Sequence, residues 1–238
     1  MGANAQTSVP AFTSGQVLTA AQVTQINTGI PVFASSTERD AAFGGTGEKT
    51  LAEGQMAYLE NIDQTQYYDG SAWTPLGALQ LVTSVSFTTS AAVAFASGVF
   101  TTDYDNYRVV LEFVPSANCT LACQVNVAGS AQTGNNYFGN RYDLRAGAVV
   151  GSNPGTSHAI MGANGSTPAH NSLSIDVFKP ASTERTSWHG TFYGANAAGT
   201  FDGGITSAEY NVAAAHDGLT FTPSTGTITG KYTVYGYN

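Results

Sequence analysis

Charge is what this chain has least of. Asp, Glu, Lys and Arg make up 10% of its 238 residues, against about a quarter in an ordinary globular domain. Eight residues are Lys or Arg, scattered along the whole length, and sixteen are Asp or Glu. Nucleic-acid binding draws on a basic stripe that neutralises phosphates, and the sequence has none. Long apolar runs are missing as well. The longest mostly apolar stretch, AAVAFASGVF (91–100), is about half a membrane span. The opening MGANAQTSVPAF has no basic segment leading into an apolar one, and Gln6 breaks the myristoylation pattern. The chain therefore reads as soluble and made in a cytoplasm, without membrane insertion.

Cysteine is nearly absent. Cys119 and Cys123 fall in NCTLACQVNV, where alternation places them on one strand face with Leu121, Val125 and Val127. Four residues along a strand span roughly 13 Å, too far for a disulfide. No further Cys or His stands nearby to complete a metal site, so both read as small core residues. No cofactor or metal is expected.

Gly, Ser, Thr, Ala and Asn take the place of the missing charges, and 42% of residues are still hydrophobic. That is enough apolar surface to offset chain entropy, so disorder is excluded. The surface is then neutral and polar, which suits a long-lived assembly because few charges need desolvating at subunit contacts.

Residues 1–14 are small and polar, and are expected to be mobile or ordered only against a partner. In SGQVLTAAQVTQINTGIP, Thr19 is an N-cap for a short helix through about Asn27, closed by Gly29 and Pro31. Val23, Ile26 and Ile30 form a narrow apolar stripe on a helix too short to persist alone. Ser35 and Glu38 have capping-box spacing, which predicts a second helix from about Ser36 to Phe43. GQMAYLENIDQTQYYDGSAWTPLG (54–77) then reads as a three-stranded meander. Its strands are Met56 to Leu59, Gln66 to Tyr68 and Ser71 to Thr74, with Asp69-Gly70 as a two-residue turn and Pro75 ending the pairing. Beyond Gly77 the pattern is uniformly β. YRVVLEFV (107–114) turns Val109, Leu111 and Phe113 one way, and the closing GTITGKYTVYGYN turns Ile228, Tyr232 and Val234 one way. Eight to ten such segments without convincing helices predict a mainly β chain: short helices, a small meander, then an antiparallel β-sandwich of jelly-roll type.

Chemistry-bearing motifs are weak. GGTGEKT (44–50) puts Glu48 where a phosphate loop needs Gly before its Lys, and reads as a surface turn. DYDNY (103–107) lacks the later ligands of a calcium loop. His158, His170, His189 and His216 are scattered, and no GxSxG elbow occurs. A glycosidase carboxylate pair need not be close in sequence, so sixteen carboxylates leave that reading open. The sequons NCT (118–120) and NGS (164–166) matter only in a secretory pathway.

Three stretches together resemble virion proteins of tailed bacteriophages, of the tail-fibre, minor-tail and capsid-fibre kind. FTSGQVLTAAQVTQIN (12–27) is similar to their "sGevLtAadvN" opening, with Thr24 where that pattern often has Asn. PVFASSTERDAAF followed by GQMAYLENIDQTQYYDGSAWTPL resembles a "YdGsaW" module that follows such openings. AHDGLTFTPSTGTITGKYTVYGYN resembles the ending of β-sandwich fibre heads. The stretch from about 128 to 200 matches nothing. The resemblance implies a non-enzymatic virion protein, a homotrimer, in three parts. Residues 1–30 would dock to other virion proteins through Leu18, Val23, Ile26 and Ile30. Residues 31–77 would form an adaptor whose Tyr58, Tyr67, Tyr68 and Trp73 make a rigid joint or contact a glycan. Residues 78–238 would be a β-sandwich facing outward. A tail fibre or receptor-binding role, with a host surface glycan or receptor as partner, is the first expectation. A head fibre or capsid decoration protein is the second, and a depolymerase acting on host glycans a third.

Overall fold

The computed structural model describes residues 7, 9–26, 29–46, 48–77, 79–144, 148–156, 159–164, 170–195 and 201–238. Asn27, His158 and Gly165 and Ser166 of the second sequon lie outside these residues, as does the side chain of Ile26. The chain divides into two compact units, Met1–Gly77 and Ala78–Asn238.

In the first unit, α1 (Ala20–Ile26) starts at Thr19. Gln22 N donates to Thr19 Oγ1 at 3.3 Å while Thr19 N donates back to Gln22 Oε1 at 3.0 Å. This reciprocal pair is a capping box that the sequence reading credited to Thr19 alone. The strand β1 (Val32–Phe33) precedes α2 (Ser36–Ala41), whose cap Ser35 bonds Glu38 through both backbone and side chain. Strands β2 (Met56–Leu59), β3 (Gln64–Tyr68) and β4 (Trp73–Pro75) follow in a four-stranded sheet ordered β1-β2-β3-β4.

Three expectations are corrected in this unit. The meander gains a parallel strand, β1 on β2, because Val32 and Phe33 lie close enough to bury Phe33 beside Leu59. The turn spans four residues: Asp69 Oδ1 accepts from Ser71 N at 2.8 Å and from Ala72 N at 2.7 Å, while Gly70 takes a positive φ of 97°. Those backbone bonds hold the Asp69 carboxyl below the usual carboxylate range. Pro75 pairs with Gln66 inside β4, which an edge strand tolerates. Val9, in the segment expected to be mobile or ordered only against a partner, packs within this unit. Val9 is buried with Phe33, Ala42, Ala57 and Leu59; its N donates to Ala42 O at 3.1 Å and its carbonyl accepts from Lys49 N at 2.8 Å. Val9 therefore contributes to the small core built by Phe33, Ala42, Ala57 and Leu59.

The second unit is built from β5 (Gln80–Ser90), β6 (Val93–Ala94), β7 (Asn106–Pro115), β8 (Cys119–Val127), β9 (Ser130–Ala131), β10 (Tyr137–Asp143), β11 (Ala148–Thr156), β12 (Ala159–Asn164), β13 (Asn171–Phe178), β14 (Thr186–Ala195), β15 (Phe201–Tyr210), β16 (Gly218–Pro223) and β17 (Ile228–Tyr237). Eight of these strands pair as nested couples: β5 with β17, β6 with β16, β7 with β13, and β8 with β12. The couples alternate between two sheets, which is the jelly-roll arrangement. β9, β10 and β11 are inserted in the β8–β12 connection, and β14 and β15 in the β13–β16 connection. The inserted β14, β15, β10 and β11 extend the larger sheet beyond β13, giving the order β11-β10-β15-β14-β13-β7-β17-β5.

Strict alternation builds the core. Val109, Leu111 and Phe113 face Leu121, Cys123, Val125 and Phe221 across the interior. Buried tyrosine hydroxyls are satisfied by loops: Tyr107 OH donates to Thr101 O at 2.8 Å, and Tyr137 OH donates to Gln132 O at 2.8 Å. Val127 is another correction. It is exposed, whereas Asn126 is buried and accepts from Thr220 Oγ1 at 2.8 Å. The β8–β9 hairpin turns at Ala128-Gly129, both with positive φ, and carries the end of β8 past the core. Among the described residues, no helix is long and apolar enough to cross a membrane.

Candidate functional site

The residues expected to dock or to bind fall into three places. Leu18 and Val23 are 38% and 45% exposed, and Ile30 is half-buried. Only Val23 lies on the seven-residue helix; Leu18 precedes its cap and Ile30 lies beyond its end, so the three do not form one helical stripe, and Leu18 and Val23 are apolar groups left in contact with solvent.

The four adaptor aromatics do not converge. Strand alternation puts Tyr68 and Trp73 on the core face and Tyr58 and Tyr67 on the opposite one. Trp73 packs on Tyr68 at 5.6 Å and Phe43 at 5.9 Å, ring centre to ring centre. The Arg39 guanidinium lies 4.6 Å from the Trp73 ring, is buried, and donates to Gln66 Oε1. A cation held against an indole in a dry setting is favourable, and Arg39 is a core residue the sequence reading missed. On the other face Tyr58 OH donates to Asp63 Oδ1 at 2.9 Å, which pushes the phenol's pKa up.

The feature with the most chemistry lies on the outward face of the extended sheet in the second unit. Register places Phe138, Glu209, Ser187 and Phe178 in one row across β10, β15, β14 and β13. The next row holds Asn140, Ser207, His189 and Asp176, continued by Arg108 on β7. A third holds Tyr142, Ile205, Thr191 and Ser174. Over the first row and a half lies an open cleft of ≈450 Å³ lined by Phe138, Phe178, Ser187, His189, Ser207 and Glu209. It meets a second hollow of ≈260 Å³ lined by Asn140, Tyr142, His189, Thr191, Ile205 and Ser207. His189 and Ser207 border both.

The cleft has walls because aromatic rings stand at both ends of the first row, Phe138 on β10 and Phe178 on β13. Phe138 stands on one side. On the other the His189 ring stacks on Phe178 at 5.1 Å with 15° between planes. Between them Ser187, Ser207 and Glu209 project, and Gly139, Trp188 and Ala208 line the floor. Gly190 allows the strands to close up beneath it: a Cβ there would lie 1.9 Å from Ser174 O.

Glu209, which borders the cleft, and Asp176, beside His189 in the next row, each have a cation. Arg108 Nε and Nη2 donate to Asp176 Oδ1 and Oδ2 at 2.9 and 2.7 Å, and Tyr237 OH adds a bond at 3.2 Å. Partial burial alone would raise the Asp176 pKa, but Arg108 and the Tyr237 hydroxyl outweigh it and hold the carboxyl below its ordinary value. Glu209 pairs with Arg185 at 3.1 Å. The hollow therefore offers hydroxyls, an amide, an imidazole and aromatic edges, with its charge compensated locally. Among the described residues no three His, Cys, Asp or Glu side chains gather as a metal site would need.

His189 is exposed, as a polar residue on the outer side of a strand is, and Phe138, Tyr142, Phe178 and Ile205 were not singled out from the sequence. A signal was present. In Tyr137-Phe138 and Ile205-Thr206 the large apolar residue falls on the parity opposite the buried one, and Phe138 and Ile205 are 42% and 55% exposed. Compared with known proteins, the chain matches no family model, no curated protein and no solved structure.

Proposed function

We propose that this chain is a non-enzymatic structural protein of a tailed-bacteriophage virion, of the tail-fibre or receptor-binding type. It docks to other virion proteins through its N-terminal segment and turns its jelly roll outward as a homotrimer. The observation that carries the reading is the coincidence of the FTSGQVLTAAQVTQIN opening with a solvent-facing Val23 on a helix of seven residues and a solvent-facing Leu18 just before its cap. Such a helix does not persist unaided in water, and its apolar side chains remain available to a neighbour. The low charge supports the same reading, since subunit contacts then bury few ions.

Location in the particle is the test. Immunogold labelling with an antibody to the chain, or a low-resolution virion map, should place it on the tail. Label over the capsid would make it a head fibre or decoration protein, and its absence from purified particles would end the virion reading. Release of oligosaccharide from host envelopes by the purified chain would replace the non-enzymatic role with that of a depolymerase.

A further inference from the structure

We propose that the cleft between Phe138 and the stacked Phe178–His189 pair is a binding site for a neutral saccharide of two or three rings. The inference rests on the receptor-binding reading above and supplies the ligand class and the surface.

The size comes first. The two hollows, ≈450 and ≈260 Å³, adjoin along the strand direction and share His189 and Ser207. Taken together they lie in the range of small-ligand sites, and are divided as a chain of rings would be, with at least one ring to each hollow. Three strand spacings separate Phe138 on β10 from Phe178 on β13, about 14 Å, before the side chains lean inward. That admits a ring lying on the floor and is too narrow for a helix.

The chemistry selects the ligand. A sugar ring presents apolar C–H faces and a rim of hydroxyls that both donate and accept. Phe138 on one wall, and Tyr142 and Ile205 beside the second hollow, supply apolar surface for the faces. Ser187, Thr191, Ser207 and Asn140 supply groups that can donate or accept, to match the rim. Charge argues against an ionic ligand: Asp176 is held by Arg108 and Glu209 by Arg185. An anionic ligand would have to take a guanidinium from its carboxylate, and a cationic one the reverse. Exposed large apolar side chains in a row of hydroxyls are costly to leave in water unless something covers them, and a neutral polyol satisfies both kinds of group.

The experiment uses the full chain with isothermal titration calorimetry against gluco-, galacto-, manno- and chito-oligosaccharides, with a uronic-acid oligomer as the charged comparison. At least one neutral series should bind, and the uronic oligomer should bind at least tenfold more weakly. Phe138→Ala should weaken binding tenfold or more. Ser207→Trp, which fills the cleft from an outward position, should abolish it with the thermal melt unchanged. Tyr67→Ala, on the first unit's sheet, should leave it intact. No binding of any neutral series at millimolar ligand overturns the inference, as does binding that survives both cleft substitutions or favours the uronic oligomer. The two readings fail separately. Capsid labelling together with cleft-dependent binding would remove the tail role and keep the saccharide site. Tail labelling with no saccharide binding would do the opposite.

Discussion

The Thr186 hydroxyl and His216 Nδ1 share a hydrogen bond of 2.8 Å inside the second unit, where the His216 residue is 2% exposed and its Nε2 has no hydrogen-bond partner. The ring meets Tyr210 edge-on at 5.2 Å. Burial disfavours the imidazolium and pushes the His216 pKa down, with Asp217 opposing more weakly. In the unfolded chain the same ring takes its proton near pH 6.5. Below that pH the unfolded state binds more protons than the folded one, so stability is full above about 6.5 and declines as pH falls toward the folded value. Urea midpoints at pH 7.5 and 5.5 should differ, and His216→Gln should narrow the difference. Equal midpoints for the wild-type chain would refute the buried neutral ring. Asp176 acts in a separate, lower window: its depressed pKa adds stability that is lost only as pH drops through about 3.9 and below.

Cys119 and Cys123 are both buried in β8, and burial pushes each thiol's pKa up. Little thiolate then exists at neutral pH. Thiol reagents should label both residues only after denaturation. Cys123→Ser should cost about 1–3 kcal/mol by placing a hydroxyl in the core, read as a lower urea midpoint. Fast labelling of Cys123 in the native chain would contradict the register of β8.

The chain has two tryptophans, Trp73 in the first unit and Trp188 in the second. A Trp188→Phe background therefore makes Trp73 fluorescence a reporter of the first unit alone. Arg39→Ala removes the guanidinium over Trp73 and its bond to Gln66, and should destabilise that unit by about 2 kcal/mol. A Trp73 unfolding midpoint unmoved by the substitution would make the contact incidental.

Because Val9 belongs to the first unit's core, deleting residues 1–30 would confuse docking with folding. The double substitution Leu18→Asp, Val23→Asp touches only solvent-facing positions. It should leave the melt within about 0.5 kcal/mol of wild type while abolishing incorporation into particles. Normal incorporation of the variant would move the docking surface elsewhere on the chain.

Much of this architecture was legible in the sequence, for a local reason. Which way a strand residue points depends on its own backbone, so Val109, Leu111 and Phe113, or Ile228, Tyr232 and Val234, declare their face by period alone. Capping is equally local, and Ser35 with Glu38 announced α2 three residues apart. Where the pattern is weak the reading stopped: residues 146–164 are rich in Gly, Ala, Ser and Asn, and β11 and β12 went unseen. Val127 misled because the alternation continued after the core had ended. What only the tertiary structure decided is which strands meet. The nested couples join β5 to β17 across the whole second unit, and pairing over such separations leaves no mark on either strand. The cleft depends on that choice. Phe138, Phe178, Ser187, His189, Ser207 and Glu209 come from four strands spread over seventy residues, and become neighbours only because β15 inserts between β14 and β10.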